Sequence, residues 1–113
     1  MITAAIVRQL ALSFPETEEL SHHGKPDFRV RGKIFATLPV DDGRSVVKLT
    51  LGDQADLVNS DPKAFSLNPW SKSGWTNVHL AHVTATQFHE ILATSWRLLA
   101  PRKLVVACDK EIR

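Results

Sequence analysis

The sequence of 113 residues has very little cysteine and no long apolar run. Its single cysteine, Cys108, cannot form an internal disulfide, which is typical of proteins in a reducing compartment. No apolar segment approaches the ~20 residues of a membrane span. The N-terminus has Arg8 inside its apolar stretch and Pro15 soon after, unlike a secretory signal. We therefore expect a cytoplasmic protein with no membrane partner.

The sequence also lacks any motif that by itself indicates catalysis. There is no Gly-x-Ser-x-Gly elbow, no phosphate-binding glycine loop and no dinucleotide fingerprint. The nearest approach to a catalytic group is His22, His23 and Asp27, because a turn can bring short polar side chains together at a sheet edge. We expect a protein that is not an enzyme and needs no cofactor.

The histidines are the candidates for a metal site. His79, His82 and His89 span a predicted strand-to-helix connection, and His22 and His23 could lie near them. Imidazole is a common ligand for zinc and similar ions. The spacing of these histidines matches no zinc pattern, so the sequence predicts no metal site.

The sequence also has only a small excess of positive over negative charge. Lys and Arg number 14 against 12 Asp and Glu, which gives a net charge of +2. A function that depends on positive charge must therefore come from the placement of the cations. The 43% apolar and 23% charged content is ordinary for a globular protein, and the length fits one domain over residues 1–113.

Residues 22–38 give the clearest local pattern. Phe28 and Val30 alternate with charged residues, and further apolar residues follow Gly32. Alternation of this kind predicts a β-hairpin, and Gly32 supplies the positive φ of a tight turn. Lys25, Arg29, Arg31 and Lys33 should then crowd the tip and outer face of the hairpin.

The rest of the chain predicts helices at both ends and further strands between them. Helices are expected over residues 3–13, with Thr3 as its cap, over residues 52–59, and after the Thr84–Gln87 capping-box pattern, with a break or new helix at Pro101. Strands are expected at residues 20–23, at 45–51 after an Asp42-Gly43 turn, and at 75–80, whereas residues 63–74 form a long loop. The prediction is an α+β fold: an antiparallel sheet of about five strands, a β-meander plus a later strand, packed against N- and C-terminal helices.

Several short segments together resemble the MmcQ/YjbR family of small bacterial proteins. They are Gly-Lys-Pro-Asp-Phe-Arg-Val at 24–30, Gly-Lys-Ile-Phe-Ala at 32–36, Val-Lys-Leu at 47–49, Trp70 with Gly74-Trp75, and Trp-Arg-Leu at 96–98. The resemblance covers nearly the whole chain. It implies a frataxin-like (CyaY-like) α+β fold and a double-wing arrangement for DNA binding.

Basic hairpins on a rigid sheet lead to the functional hypothesis. Such hairpins can lie along phosphates, so the sequence predicts low-affinity, largely sequence-tolerant DNA binding by a monomer. The predicted contacts are Lys25, Arg29, Arg31, Lys33, Arg44 and Lys48, together with Lys72 beside Trp70 and Trp75. One alternative is a non-enzymatic module that binds a protein, peptide or small ligand with the Trp-containing loop and the sheet face. The other is that these charges only solvate the sheet and the tryptophans only pack.

Overall fold

A six-stranded antiparallel sheet organises the chain in the computed structural model, which describes residues 2–38 and 43–112. The strand order is β1-β2-β3-β4-β6-β5. The elements are α1 (Ala4–Leu12), β1 (Thr17–His22), β2 (Lys25–Val30), β3 (Lys33–Thr37), β4 (Arg44–Lys48), α2 (Leu51–Ser60), β5 (Phe65–Ser66), β6 (Trp75–His79), α3 (Ala85–Leu99) and α4 (Arg102–Ile112). The predicted α+β class with an antiparallel sheet is confirmed.

Helix α3 covers one face of the sheet. Thr84 caps it through the predicted capping box with Gln87, and Phe88, Leu92 and Trp96 are buried along one stripe. Burial of each such side chain stabilises the fold by about 1.5–3 kcal/mol. The Ser95 hydroxyl donates to the Phe35 carbonyl at 2.9 Å, which joins the helix to β3. This face is the core side of the sheet.

Two tight turns connect the first three strands. The β2–β3 turn has positive φ at Arg31 (51°) and Gly32 (81°), and the β1–β2 turn has positive φ at His23 (50°) and Gly24 (76°). Positive φ at both central residues is typical of the type I′ hairpin turn. The hairpin and the turn role of Gly32 are therefore confirmed. Pro26 lies inside β2.

Several local predictions differ from the structure or lie partly outside the described residues. Strand β4 ends at Lys48 and does not extend to residue 51, because the Thr50 side chain accepts from the Asp53 N–H and caps α2. Leu51 is consequently exposed on the helix. The predicted loop over residues 63–74 contains β5, which explains a sheet of six strands where about five were expected. The Asp of the predicted Asp42-Gly43 turn lies outside the described residues.

A bulge in β3 fixes which side chains face away from the helices. Arg29 pairs with Ile34 but the adjacent Phe28 pairs with Ala36, so β3 has one extra residue, Phe35. Phe35 and Ala36 both reach the core, as expected at a bulge. Ile34 therefore shares the outer side with Arg29.

No helix within the described ranges has the length and apolarity needed to cross a membrane.

Candidate binding surface on the open face of the sheet

The face of the sheet away from α3, here called the open face, carries a row of basic side chains at one end. His22 pairs with Lys25 across β1 and β2, and Arg44 pairs with His79 across β4 and β6. Strand β3 joins the two pairs, since the Leu38 N–H donates to the Pro26 carbonyl at 3.1 Å and Ala36 pairs with Val47.

That register places Lys25 and Arg44 in one row on strands that are two apart in the sheet, and thus ~10 Å apart. We call His22, Lys25 and Arg44 the basic row. Arg44 also has an interaction of its own, and His79 continues the row towards β5.

A groove of about 640 Å³ lies on the open face beside the basic row. Ile34, Thr37 and Val46 contribute to its floor, and the segment from Asn68 to Trp70 forms a wall. Among the described residues that line it, none carries a carboxylate. The described residues that line it are His22, Lys25, Pro26, Ile34, Thr37, Leu38, Arg44, Val46, Asn68, Pro69, Trp70, Trp75 and Asn77.

A network of amide hydrogen bonds holds the wall in place. The Asn68 Nδ2 group donates to Asn77 Oδ1 at 2.9 Å, and the Asn77 Nδ2 group donates to the Leu67 carbonyl at 3.2 Å and to Ser66 Oγ at 3.1 Å. Asn68 Oδ1 accepts from the Trp70 N–H at 2.8 Å. The loop is therefore fixed to β6, and Trp70 is presented with 69% of its surface exposed.

Trp75 is packed differently from Trp70. It is half-buried at the start of β6, and the Lys48 Nζ atom lies 5.2 Å from the centroid of its ring, within the range of a cation–π contact. The same ammonium group donates to the Ser73 carbonyl. Lys48 thus contacts Ser73 and Trp75 within the protein. Lys72, in contrast, is exposed in a 3-10 turn at Ser71–Ser73.

A buried carboxylate lies next to the basic row on the same face of β2. Asp27 is fully buried, and it accepts from Arg29 through both oxygens, at 2.7 and 3.2 Å, and lies 2.7 Å from His22 Nδ1. Burial would raise the pKa of Asp27, but the hydrogen bonds from Arg29 and His22, with their charges, outweigh burial and lower that pKa. Asp27 therefore stays ionised and orients both partners.

The β2–β3 turn lies at the opposite end of the open face, and its arginine forms an ion pair with an acidic residue. Arg31 pairs with Glu16, with Nη2 donating to Oε2 at 3.0 Å. This hydrogen bond lowers the pKa of Glu16 despite slight desolvation and raises the pKa of Arg31. Lys33 is exposed beside it.

The predicted cluster of four cations at the hairpin tip does not form. Lys25 begins β2 and Arg31 follows its last residue, so a strand of ~20 Å separates them. Arg29 points back to Asp27 and Arg31 to Glu16. Of the nine residues predicted to bind DNA, the groove brings together Lys25, Arg44, Trp70 and Trp75.

The histidines lie on different elements. His79 is on the open face, with Nε2 2.8 Å from Ser66 Oγ. His82 lies in a 3-10 turn at Leu80–His82. His89 on α3 stacks on Phe14 with ring centroids 5.1 Å apart. Within the described part of the chain, no three His, Cys, Asp or Glu side chains are grouped to hold a metal ion.

Sequence reasoning missed the amides Asn68 and Asn77 as parts of the surface. Their one signal is position: each lies two residues from a predicted tryptophan contact, Trp70 and Trp75 respectively. His22 was noted only as a catalytic or metal candidate, and the register makes it a neighbour of Lys25.

Comparisons with known proteins agree with this architecture. The crystal structure of Deinococcus radiodurans protein DR2400, whose domain is described as DUF419, superposes with a TM-score of 0.78 at 20% sequence identity, covering 91% of this chain and 82% of that one. This similarity shows a shared fold. No curated protein matches the sequence. The model of the YjbR family matches residues 12–98, which span the sheet and most of α3. The chain therefore belongs to the YjbR family.

Proposed function

We propose that the chain is a non-enzymatic binding module that holds its ligand in the groove on the open face. The observation that carries the proposal is the exposed indole of Trp70 at the wall of a groove of about 640 Å³. Ligand sites occupy ~300–1,000 Å³ and are mainly apolar with a few placed polar groups. Tryptophan is also the residue type most often dominant at binding surfaces.

The polar groups around the groove support a rigid binding site. Thr37 Oγ1 accepts from the Val46 N–H at 2.9 Å, and the amides of Asn68 and Asn77 bond to one another and to the backbone. Side chains held in this way lose little conformational freedom when a ligand binds. A preformed site of this kind favours tight binding.

The three indole N–H signals of the protein provide a direct test by nuclear magnetic resonance. The full chain is titrated with a panel of small anionic and aromatic molecules and short peptides. Binding in the groove should shift the Trp70 and Trp75 signals. Trp96 is buried, and its Nε1–H donates to the Pro15 carbonyl at 3.1 Å, so its signal should stay in place.

A matched pair of variants completes this test. Trp70→Ala should abolish the binding, whereas Leu67→Ala, an exposed apolar residue of the same loop at 59% exposure, should preserve it. A panel in which no molecule shifts Trp70, or an equal loss in both variants, would contradict the proposal.

DNA binding is a second candidate function, favoured by the exposed lysines Lys25, Lys33 and Lys72 around the sheet. If these phosphate contacts form, binding to duplex DNA should fall steeply between about 50 and 200 mM salt. The carboxylate partners of Arg29 and Arg31 oppose this function at the hairpin.

Charge reversal beside the β2–β3 turn tests the DNA-binding candidate. A hairpin wing predicts that Lys33→Glu weakens duplex binding. Anisotropy of a labelled duplex measures this effect. Duplex binding that is absent at low salt, or unaffected by Lys33→Glu, would count against the wing.

A further inference from the structure

We infer that the groove binds an acidic, proline-rich segment of a partner protein, with proline rings on Trp70 and a carboxylate at Lys25. This inference rests on the proposed function and names the class of partner that the same groove takes. A proline-rich segment adopts the extended polyproline II helix, which has no internal hydrogen bonds and leaves its carbonyls open to donors.

The two indole rings of the groove provide the surface on which such a segment packs. Trp70 is 69% exposed and Trp75 is half-buried, and both line the groove. The Trp70 N–H donates to Asn68 Oδ1 at 2.8 Å, which holds the more exposed ring in place. Proline-rich segments dock in aromatic-lined grooves because their helix is already formed and loses little conformational entropy on binding.

The hydrogen-bonding groups of the groove favour a ligand that brings acceptors. Its side-chain oxygens already accept within the protein: Asn77 Oδ1 accepts from Asn68 at 2.9 Å, and Thr37 Oγ1 accepts from a backbone N–H at 2.9 Å. The indole N–H groups of Trp70 and Trp75, in contrast, have no partner within the described part of the chain. The groove therefore offers donors, and a ligand rich in carbonyls suits it.

Proline is the residue that meets this condition. It has a carbonyl but no backbone N–H, so a run of prolines can accept from the indoles without burying a donor of its own. An ordinary peptide or a nucleobase would bring N–H groups, and a buried donor without a partner costs binding free energy. The hydrogen-bonding pattern thus favours a proline-rich segment over these alternatives.

The charge at one end of the groove favours an acidic residue in the same segment. Lys25 is exposed there, opposite His22 on β1, and no acid among the described residues pairs with it. We assign the charge contact to Lys25 alone, because Arg44 already has an interaction of its own. A carboxylate on the partner complements this ammonium group, whereas a cationic residue would be repelled.

The width of the sheet sets the length of the segment. Lys25 lies on β2 and Trp75 on β6, and the strand order β2-β3-β4-β6 puts these strands ~14 Å apart. A polyproline II helix rises ~3.1 Å per residue, so about five residues cross the groove.

The test titrates the full chain with three peptides and follows the indole signals. Each peptide has six central residues between two charged ends: prolines between aspartates, alanines between aspartates, and prolines between lysines. The acidic proline peptide should shift Trp70 and Trp75 and leave Trp96 unchanged. The alanine peptide should bind about tenfold more weakly or less, and the lysine-ended peptide about threefold more weakly. Equal binding of the proline and alanine peptides would overturn the inference.

A matched pair of charge variants locates the acidic end of the segment. Lys25→Glu should reverse the preference, so that the lysine-ended proline peptide binds more tightly than the aspartate-ended one. Lys33→Glu, the same charge change at the other end of the sheet, should leave the preference as it is in the wild type. An unchanged Trp96 signal verifies that each variant is folded. Equal effects of the two substitutions would contradict the assignment of Lys25.

A second pair of variants locates the proline rings. Trp70→Ala should weaken the acidic proline peptide about tenfold, measured on the Trp75 signal, because the main packing surface is lost. Leu67→Ala, at an exposed apolar residue of the same loop, should not weaken it. The same affinity in both variants would show that the segment does not pack on Trp70.

Further outcomes separate this inference from the proposed function. If neither proline peptide binds while another molecule of the panel shifts Trp70, the proline assignment is wrong and the binding module remains. If nothing shifts Trp70, both are wrong. A short oligothymidylate that binds more tightly than the acidic proline peptide would assign the groove to nucleic acid and overturn the inference.

Discussion

The two ends of the open face use the same residue types to opposite effect. At the turn end, Arg31 and Glu16 pair in the open, with side chains 55% and 47% exposed. At the groove end, the carboxylate is the fully buried Asp27, which leaves the surface to His22 and Lys25. An exposed ion pair is well solvated and contributes little to stability, whereas a buried carboxylate depends on the partners that satisfy it. The depth of the carboxylate therefore decides how much each pair contributes to the stability of the fold.

Two glycines with positive φ offer a second comparison. Gly32 in the β2–β3 turn has open space around its Cα, whereas a Cβ on Gly74, just before β6, would lie 2.1 Å from the Leu49 carbonyl oxygen. Leu49 in turn donates its N–H to the Gly74 carbonyl at 2.9 Å. The backbone before β6 is thus closely packed, and the β2–β3 turn is not.

The largest expected effect comes from testing this difference with alanine. Gly74→Ala adds a backbone clash to a φ of 99° and should reduce the free energy of unfolding by about 3 kcal/mol or more. Gly32→Ala, at a φ of 81° without any clash, should lose only about 1–2 kcal/mol. Denaturant unfolding of both variants measures the gap. Losses of equal size would show that the backbone before β6 is as adaptable as the turn.

Removal of the two carboxylates should give the next largest difference. Asp27→Ala leaves Arg29 and His22 without their acceptor, and we expect a loss of about 2–3 kcal/mol, at the low end for a broken buried ion pair because both partners reach water. Glu16→Ala removes an exposed pair and should change stability little. Thermal and denaturant unfolding compare the two variants. A larger loss for Glu16→Ala would reverse the assignment of the two ends.

The pH dependence of stability sharpens the same comparison. The pKa of Asp27 in the folded protein lies below its ordinary value, which is about 3.9. The ionised form therefore stabilises the fold fully above that ordinary value, and this contribution disappears as the pH falls through the lower folded pKa. Melting temperatures of the wild type and Asp27→Asn should accordingly converge in acid and separate as the pH rises past about 4. A difference independent of pH would indicate that the charge of Asp27 has no role.

Sequence periodicity predicted the elements that local patterns specify. The α3 helix has its capping box at Thr84 and Gln87, and the β2–β3 hairpin has Gly32 at its turn; both are visible within a few residues of chain. Strand β5 was missed because it has only two residues, Phe65 and Ser66, too few to show alternation. It exists because β6 offers an edge with which it pairs.

The binding surface was less accessible to sequence reasoning. The pairing of Arg31 with Glu16 joins residues 15 apart in sequence, and it depends on β1 lying beside β2. The separation of Lys25 from Arg31 arises because Lys25 begins β2 and Arg31 follows its last residue. Such facts come from register, which no local pattern around these residues reveals.

The smallest expected effect concerns two threonine hydroxyls, one on β1 and one on β6. Thr17 Oγ1 is buried without a hydrogen-bond partner among the described residues, whereas Thr76 Oγ1 donates to the Gly74 carbonyl at 3.1 Å and accepts from Gln54 Nε2 at 2.9 Å. An unsatisfied buried hydroxyl costs about 1–3 kcal/mol, and valine has nearly the same shape without it. Thr17→Val should therefore raise the free energy of unfolding by about 1 kcal/mol, and Thr76→Val should lower it by about the same amount. Denaturant unfolding gives the sign of each change, and a gain in both variants would mean that the polar network behind the groove wall contributes nothing to its rigidity.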